Sequence, residues 1–176
     1  MKKLFIVPAL AGALFIAACG GNQTNNETAD STETAPAAQA PAVDIPGLDT
    51  VELSNDLVIE ANDLMRFNKT LLKVKAGEPV KLTLKNVGEL PKQSMGHNAV
   101  VLQPGTDLPA FAGEAIKATD NEFIPLTFAS SIVAHTKLLG PGETDVIEFT
   151  LENGVYPFIC SFPGHYGLMQ GKIVAE

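Results

Sequence analysis

From about residue 51 to the C-terminus, apolar residues recur in short runs separated by turn-forming residues every eight to twelve positions, a pattern of β-strands. The runs at 57–61, 71–75, 80–84, 97–102, 146–150, 155–160 and 171–175 are expected to be extended. Val80-Lys81-Leu82-Thr83-Leu84-Lys85 alternates strictly, so one face of that strand should be packed and the other wet. Ala76-Gly77-Glu78-Pro79, Asn86-Val87-Gly88, Pro104-Gly105, Gly140-Pro141-Gly142 and Asn153-Gly154 supply turns between the runs. One stretch departs: across 107–121, Ala110, Phe111, Ala112, Ala115, Ile116, Lys117 and Ala118 fall at near-helical spacing. A short inserted helix packed on one edge is expected there. Seven or more strands with one helix predict an all-β fold, an antiparallel Greek-key sandwich or barrel.

The N-terminal part follows other rules. Met1-Lys2-Lys3 precedes an apolar run of fifteen residues, 4–18, which has the form of an export signal and is short for a membrane span. It ends in Ile16-Ala17-Ala18-Cys19-Gly20, which resembles the bacterial lipobox. That resemblance implies cleavage before Cys19, lipidation of its sulfur and acylation of its new amino group, a firm anchor by the usual gain per buried methylene. Gly20 follows Cys19 where an Asp would imply retention at an inner membrane, so the outer membrane is the expected destination. Residues 20–46 are Asn, Thr, Glu, Ala and Pro with Val43 and Ile45 as the large apolar members, too few to repay the entropy of folding. The expected organisation is a leader at 1–18, a lipidated Cys19 with a tether to 47, and a folded domain at 48–176.

The formal charge of −8 changes the picture only by exclusion. Beyond residue 50 there are 15 acidic and 10 basic side chains with no basic cluster, which argues against nucleic acid as a partner. The two cysteines, Cys19 and Cys160, belong to the leader and to the last apolar runs, so no disulfide is expected between them.

Candidate chemistry gathers near the C-terminus. Cys160 and His165 have four residues between them and His165 and Met169 have three, in a segment broken by Pro163, Gly164 and Gly167 that can turn all three side chains inward. A lone cysteine is more often a buried structural thiol. A Cys–His nucleophile would use Cys160 and His165 but leaves Met169 without a role. A copper site for electron transfer uses a thiolate, two imidazoles and a weak thioether, so the loop carries one of each and a second histidine must come from elsewhere. His97 follows Met95-Gly96, where a glycine allows close backbone approach; His135 follows Ile132-Val133-Ala134 and suits an exposed strand end or a turn.

Leu90-Pro91-Lys92-Gln93-Ser94-Met95-Gly96-His97-Asn98, Val133-Ala134-His135-Thr136-Lys137-Leu138-Leu139-Gly140 and Cys160-Ser161-Phe162-Pro163-Gly164-His165 through Leu168-Met169 resemble the azurin family of type 1 blue-copper proteins. The resemblance runs from about residue 63 to the end and implies a cupredoxin-like sandwich holding one copper ion. It implies His97, Cys160 and His165 as equatorial ligands, Met169 as an axial ligand, the Gly96 carbonyl opposite it, and Asn98 and Ser161 as supports for the ligand loops. It also implies an apolar docking patch of Met65, Leu90, Met95, Phe162, Pro163 and Gly164 around an exposed His165, the electron port. The implied function is a membrane-anchored, non-catalytic one-electron carrier, its domain monomeric, working in a bacterial cell envelope. Its implied partners are redox proteins such as c-type cytochromes or copper and haem enzymes. Three departures stand out: no cysteine is available for an N-terminal disulfide of the domain, Asn86 occupies the place of a titrating histidine, and Ala99 that of a core tryptophan. His135 is expected to be exposed and to bind no metal.

Overall fold

The alternation along the chain becomes nine strands in the computed structural model, which describes residues 44–176. In order they are β1 (Asp56–Asn62), β2 (Arg66–Phe67), β3 (Leu71–Val74), β4 (Pro79–Asn86), β5 (Val100–Leu102), β6 (Ile132–His135), β7 (Thr144–Thr150), β8 (Gly154–Ile159) and β9 (Gln170–Ala175). Two helices interrupt them, α1 (Lys92–Met95) and α2 (Leu108–Ala115). The expected leader, Cys19 and the tether up to residue 43 lie outside the described residues.

The strands form two sheets, one ordered β2-β1-β4-β7 and the other β3-β9-β8-β5-β6. Their facing sides carry the core: Leu57, Ile59 and Ala61 of β1, Val80, Leu82 and Leu84 of β4, Leu72 and Val74 of β3, Phe158 of β8 and Ile173 of β9. Lys81 and Lys85 of β4 point outward, as strict alternation requires, although Thr83 on that face is also largely covered. Ring centroids of Phe67 and Phe158 lie 5.4 Å apart and join the two sheets through this core.

The expectation of wholly antiparallel sheets is corrected at two places. β1 pairs with β4 and β3 pairs with β9 in parallel. After β1 and its short antiparallel neighbour β2 the chain passes to the other sheet as β3 and then returns as β4, so β1 and β4 are joined by a crossover and not by a hairpin. β6 is too short, at four residues, for a periodic signal of its own, yet it pairs antiparallel with β5 and makes His135 a strand end.

The helix expected over 107–121 is shorter than its apolar spacing suggests. Asp107 caps α2 by accepting from the Ala110 amide at 3.0 Å. After Ala115 the bonds tighten, Lys117 N–H to the Glu114 carbonyl and Ala118 N–H to that of Ala115, each 3.0 Å, before a 3₁₀ turn at Thr119–Asn121. The helix also packs on the face of the second sheet and not on its edge. Phe111 and Ala115 meet Val100 and Leu102 of β5 and Ile159 of β8. β5 is therefore buried on both sides, which explains why its residues are apolar without alternation.

Candidate metal centre

The β8–β9 connection begins at Cys160 and ends at Met169, and it closes on itself. The Cys160 amide donates to the Met169 carbonyl at 2.9 Å, and the Met169 amide to that of His165 at 2.8 Å. Between them Phe162-Pro163-Gly164-His165 forms a turn, with the His165 amide donating to the Phe162 carbonyl at 3.0 Å. Gly164 takes the left-handed backbone this turn needs, at φ +83°. The loop thus turns Cys160, His165 and Met169 into the protein, where all three are buried.

His97 arrives from the other side, between α1 and β5. Its residue is not part of β5, as the run at 97–102 predicts, but makes a bridge of its own to Leu139. The His97 amide donates to the Leu139 carbonyl at 3.1 Å and the Leu139 amide returns a bond of 2.7 Å. Gly96 is required here by packing: a Cβ would lie 2.6 Å from the Lys92 carbonyl and 3.0 Å from Leu138 Cγ.

These two segments place the Cys160 sulfur 3.7 Å from His165 Nδ1 and 4.0 Å from His97 Nδ1. Metal-capable atoms of the three residues lie within 4.8 Å of one another. Burial pushes the Cys160 thiol up to about 11. Burial, and secondarily the charge His97 would carry, push His165 down to about 4. His97 is also lowered by burial, against the smaller opposing pull of the Asn62 carbonyl and the Asp63 carboxylate. Both rings are therefore neutral at neutral pH, with lone pairs free to bind a metal. His97 Nε2 is buried without a hydrogen-bond partner of good geometry, so the Asn62 carbonyl acts on the ring only weakly. A soft thiolate beside two imidazoles in a dry pocket fits copper better than a hard, oxygen-seeking cation. His135, in contrast, is exposed at the end of β6 and stands outside this group.

A family model described as copper binding proteins, plastocyanin/azurin family, matches residues 53–176. The chain belongs to this family. An azurin of Alcaligenes faecalis is 40% identical over 123 residues, covering 67% of this chain and 95% of the relative. Outer membrane protein H.8 of Neisseria gonorrhoeae is 40% identical over 119 residues, covering 65% of this chain and 64% of that protein. Among solved structures, the reduced auracyanin of Roseiflexus castenholzii aligns with a TM-score of 0.64 at 31% identity, over 71% of this chain and 99% of its own. The fold is therefore a cupredoxin sandwich, and the protein is an azurin-like copper protein of an electron-carrier family.

Seen as an azurin-like protein, the chain fills in its supporting bonds. Asn98 Nδ2 donates to Ser161 Oγ and the Ser161 amide to Asn98 Oδ1, each at 2.8 Å, joining the residue after His97 to the residue after Cys160. Asn86, one of the three departures, is buried and donates to the Leu139 carbonyl at 3.2 Å, the same oxygen that the His97 amide uses. It braces the backbone that pairs with His97. Ala99 is fully buried in the core, and its amide donates to Thr136 Oγ1 at 3.0 Å.

The residues expected to ring His165 are not all at the surface. His165 is nearly buried, with 3% of its surface exposed, and Phe162 is a core residue at 9%. Their rings pack at 4.6 Å between centroids, so Phe162 backs the imidazole more than it surrounds it. Leu90 remains 44% exposed, Met65, Met95 and Pro163 are half-buried, and Gly164 is open. Two leucines not anticipated, Leu64 and Leu168, are 76% and 44% exposed. The Asp63 carboxylate accepts from the Glu89 amide and Arg66 reaches the Leu168 carbonyl, so these apolar side chains share one end of the sandwich with the loop. Isolated leucines in turns carry no periodic signal, which is why the sequence did not mark them.

Proposed function

We propose that this protein is a lipid-anchored, non-catalytic one-electron carrier of the bacterial cell envelope. His97, Cys160 and His165 would hold the copper, with Met169 and the Gly96 carbonyl as weaker candidate donors. The observation that carries the reading is the convergence of one thiol and two neutral imidazoles in a buried space no more than 4.8 Å across. Bound copper supplies the Cu(II)/Cu(I) couple. The protein's part is to keep the donors still and dry: Asn98 and Ser161 lock the two ligand segments, and Leu139 and Asn86 hold the backbone of His97. Phe162 excludes water from one side of His165.

The apolar end formed by Leu64, Met65, Leu90, Met95, Pro163, Gly164 and Leu168 is the surface at which redox partners such as c-type cytochromes or copper and haem enzymes would dock. Cys19 would carry the lipid, and the similarity to an outer membrane protein favours that membrane. A nucleophilic Cys–His enzyme is the weaker reading, because a sealed thiol held near pKa 11 is neither ionised nor reachable by a substrate. Addition of Cu(II) to the metal-free protein should produce an intense visible band of thiolate-to-copper charge transfer, absent in Cys160→Ser. A colourless copper complex, or a band that survives the substitution, would defeat the reading.

A further inference from the structure

Between α2 and β6 the backbone does something that no glycine explains. Glu122 and Phe123 lie consecutively in the left-handed region, at φ 51° and 64°. Side chains with a Cβ avoid that region, because the Cβ crowds the following carbonyl oxygen. The turn is held closed by the Phe123 amide donating to the Ala118 carbonyl at 2.9 Å and the Ile124 amide to that of Asn121 at 2.9 Å. Strain that persists in this way calls for a reason in what the two residues touch.

Glu122 reaches three points around His97. One carboxylate oxygen accepts from the Leu138 amide at 3.0 Å, next to the Leu139 that bridges His97. The other accepts from Lys92 Nζ at 3.3 Å, at the start of the helix that leads into Gly96-His97. Its backbone carbonyl accepts from Asn98 Nδ2 at 3.3 Å, the same amide group that holds Ser161. The next residue serves the other half of the site: the Phe123 ring stands edge-on to Phe162, centroids 5.1 Å apart at 70°, and Phe162 in turn covers His165.

We propose that Glu122 and Phe123 form a positioning bracket for the copper site, built by the α2–β6 insertion. Glu122 fixes the backbone around His97 and Phe123 fixes the ring that backs His165. The left-handed backbone is what sends the two side chains to different ligand segments from adjacent positions. The half-exposed Lys92 pair adds little by itself, and the bond from the Leu138 amide to a charged acceptor is the stronger contact. This inference extends the copper reading, but part of it concerns the metal-free protein alone.

The test uses Glu122→Gly, which relieves the backbone and removes both side-chain bonds, and Phe123→Leu, which keeps bulk and removes the ring. In the metal-free protein, amide hydrogen exchange at Leu138 and Leu139 should be about tenfold faster in Glu122→Gly, the loss of one bond to a charged group. Glu122→Gln, which still offers an acceptor, should restore most of the protection. In the copper protein, Glu122→Gly and Phe123→Leu should each shift the reduction potential and the copper hyperfine splitting in electron paramagnetic resonance. If Glu122→Gly does not fold, Glu122→Asn replaces it, because Asn tolerates the left-handed region and is too short to reach Leu138. Unchanged exchange in these variants would overturn the bracket. Faster exchange with unmoved potential and splitting would overturn it too, since the contacts would then be structural only. A colourless unaltered protein would defeat the copper reading instead, and the bracket would stand or fall on exchange at Leu139, the residue bonded to His97.

Discussion

Burial holds Cys160, His165 and His97 in their neutral forms over a wider pH range than water would allow. The thiol keeps its proton to about pH 11, and a metal entering at neutral pH must displace it. His165 is the reverse case: its folded pKa of about 4 lies below the ordinary 6.5, so the unfolded chain binds the proton more readily. The contribution of this neutral imidazole to stability is complete above 6.5 and is lost as the pH falls towards 4. Thermal unfolding of the metal-free protein should show its midpoint falling across that interval, and His165→Asn should flatten the profile there. Cys160, His165 and Met169 were legible as a group because they share one loop of ten residues. Glu122 was not, because an acidic residue ending the polar stretch Thr119-Asp120-Asn121 looks the same whether it meets solvent or a buried amide.

At the level of elements, the strands carried their own evidence wherever one face is buried. β1 and β4 alternate, and their inward residues are those the alternation selects. β5 and β6 do not alternate, the first because α2 covers its outer face and the second because it has only four residues. Gly171, second residue of β9, shows how tightly such elements are fitted. It pairs with Phe158, and an added Cβ would run into that ring and come 2.5 Å from the Thr70 carbonyl. Gly171→Ala should therefore lower stability by about 1–3 kcal/mol, by displacing the start of β9. Urea unfolding measures this, and a variant as stable as the original would show that β9 shifts freely. Because Met169 immediately precedes β9, the same substitution tests how firmly the loop is based on the strand.

Across the whole molecule, the metal centre ties together parts of the chain that are far apart in sequence. The His97 segment enters β5, the Cys160 loop leaves β8, and these two strands are neighbours in the five-stranded sheet. The site thus rests on a sheet pairing more than on either loop alone. The exposed leucines Leu64, Leu90 and Leu168 lie near this end, so a partner docking there would meet apolar area. For the anchor, Cys19→Ser should move the protein from the membrane fraction to the soluble fraction, with the copper band intact. Unaltered fractionation would mean that lipid on this cysteine is not what holds it.

The sequence alone determined what depends on neighbours along the chain: the strand faces, the presence of a short helix after residue 107, and the loop that carries a thiol, an imidazole and a thioether in order. By residue type alone it left His97 and His135 level as the second imidazole, with the azurin resemblance favouring His97. Tertiary structure brought His97 beside Cys160 and left His135 exposed, through the pairing of β5 with β8 on one side and β6 on the other. It also decided the parallel pairings, the seat of α2 on a sheet face, and the reach of Glu122 and Phe123 to both ligand segments. The physical reason is that periodicity is a local property, whereas the partner of a strand is chosen by which surfaces the whole chain can bury together.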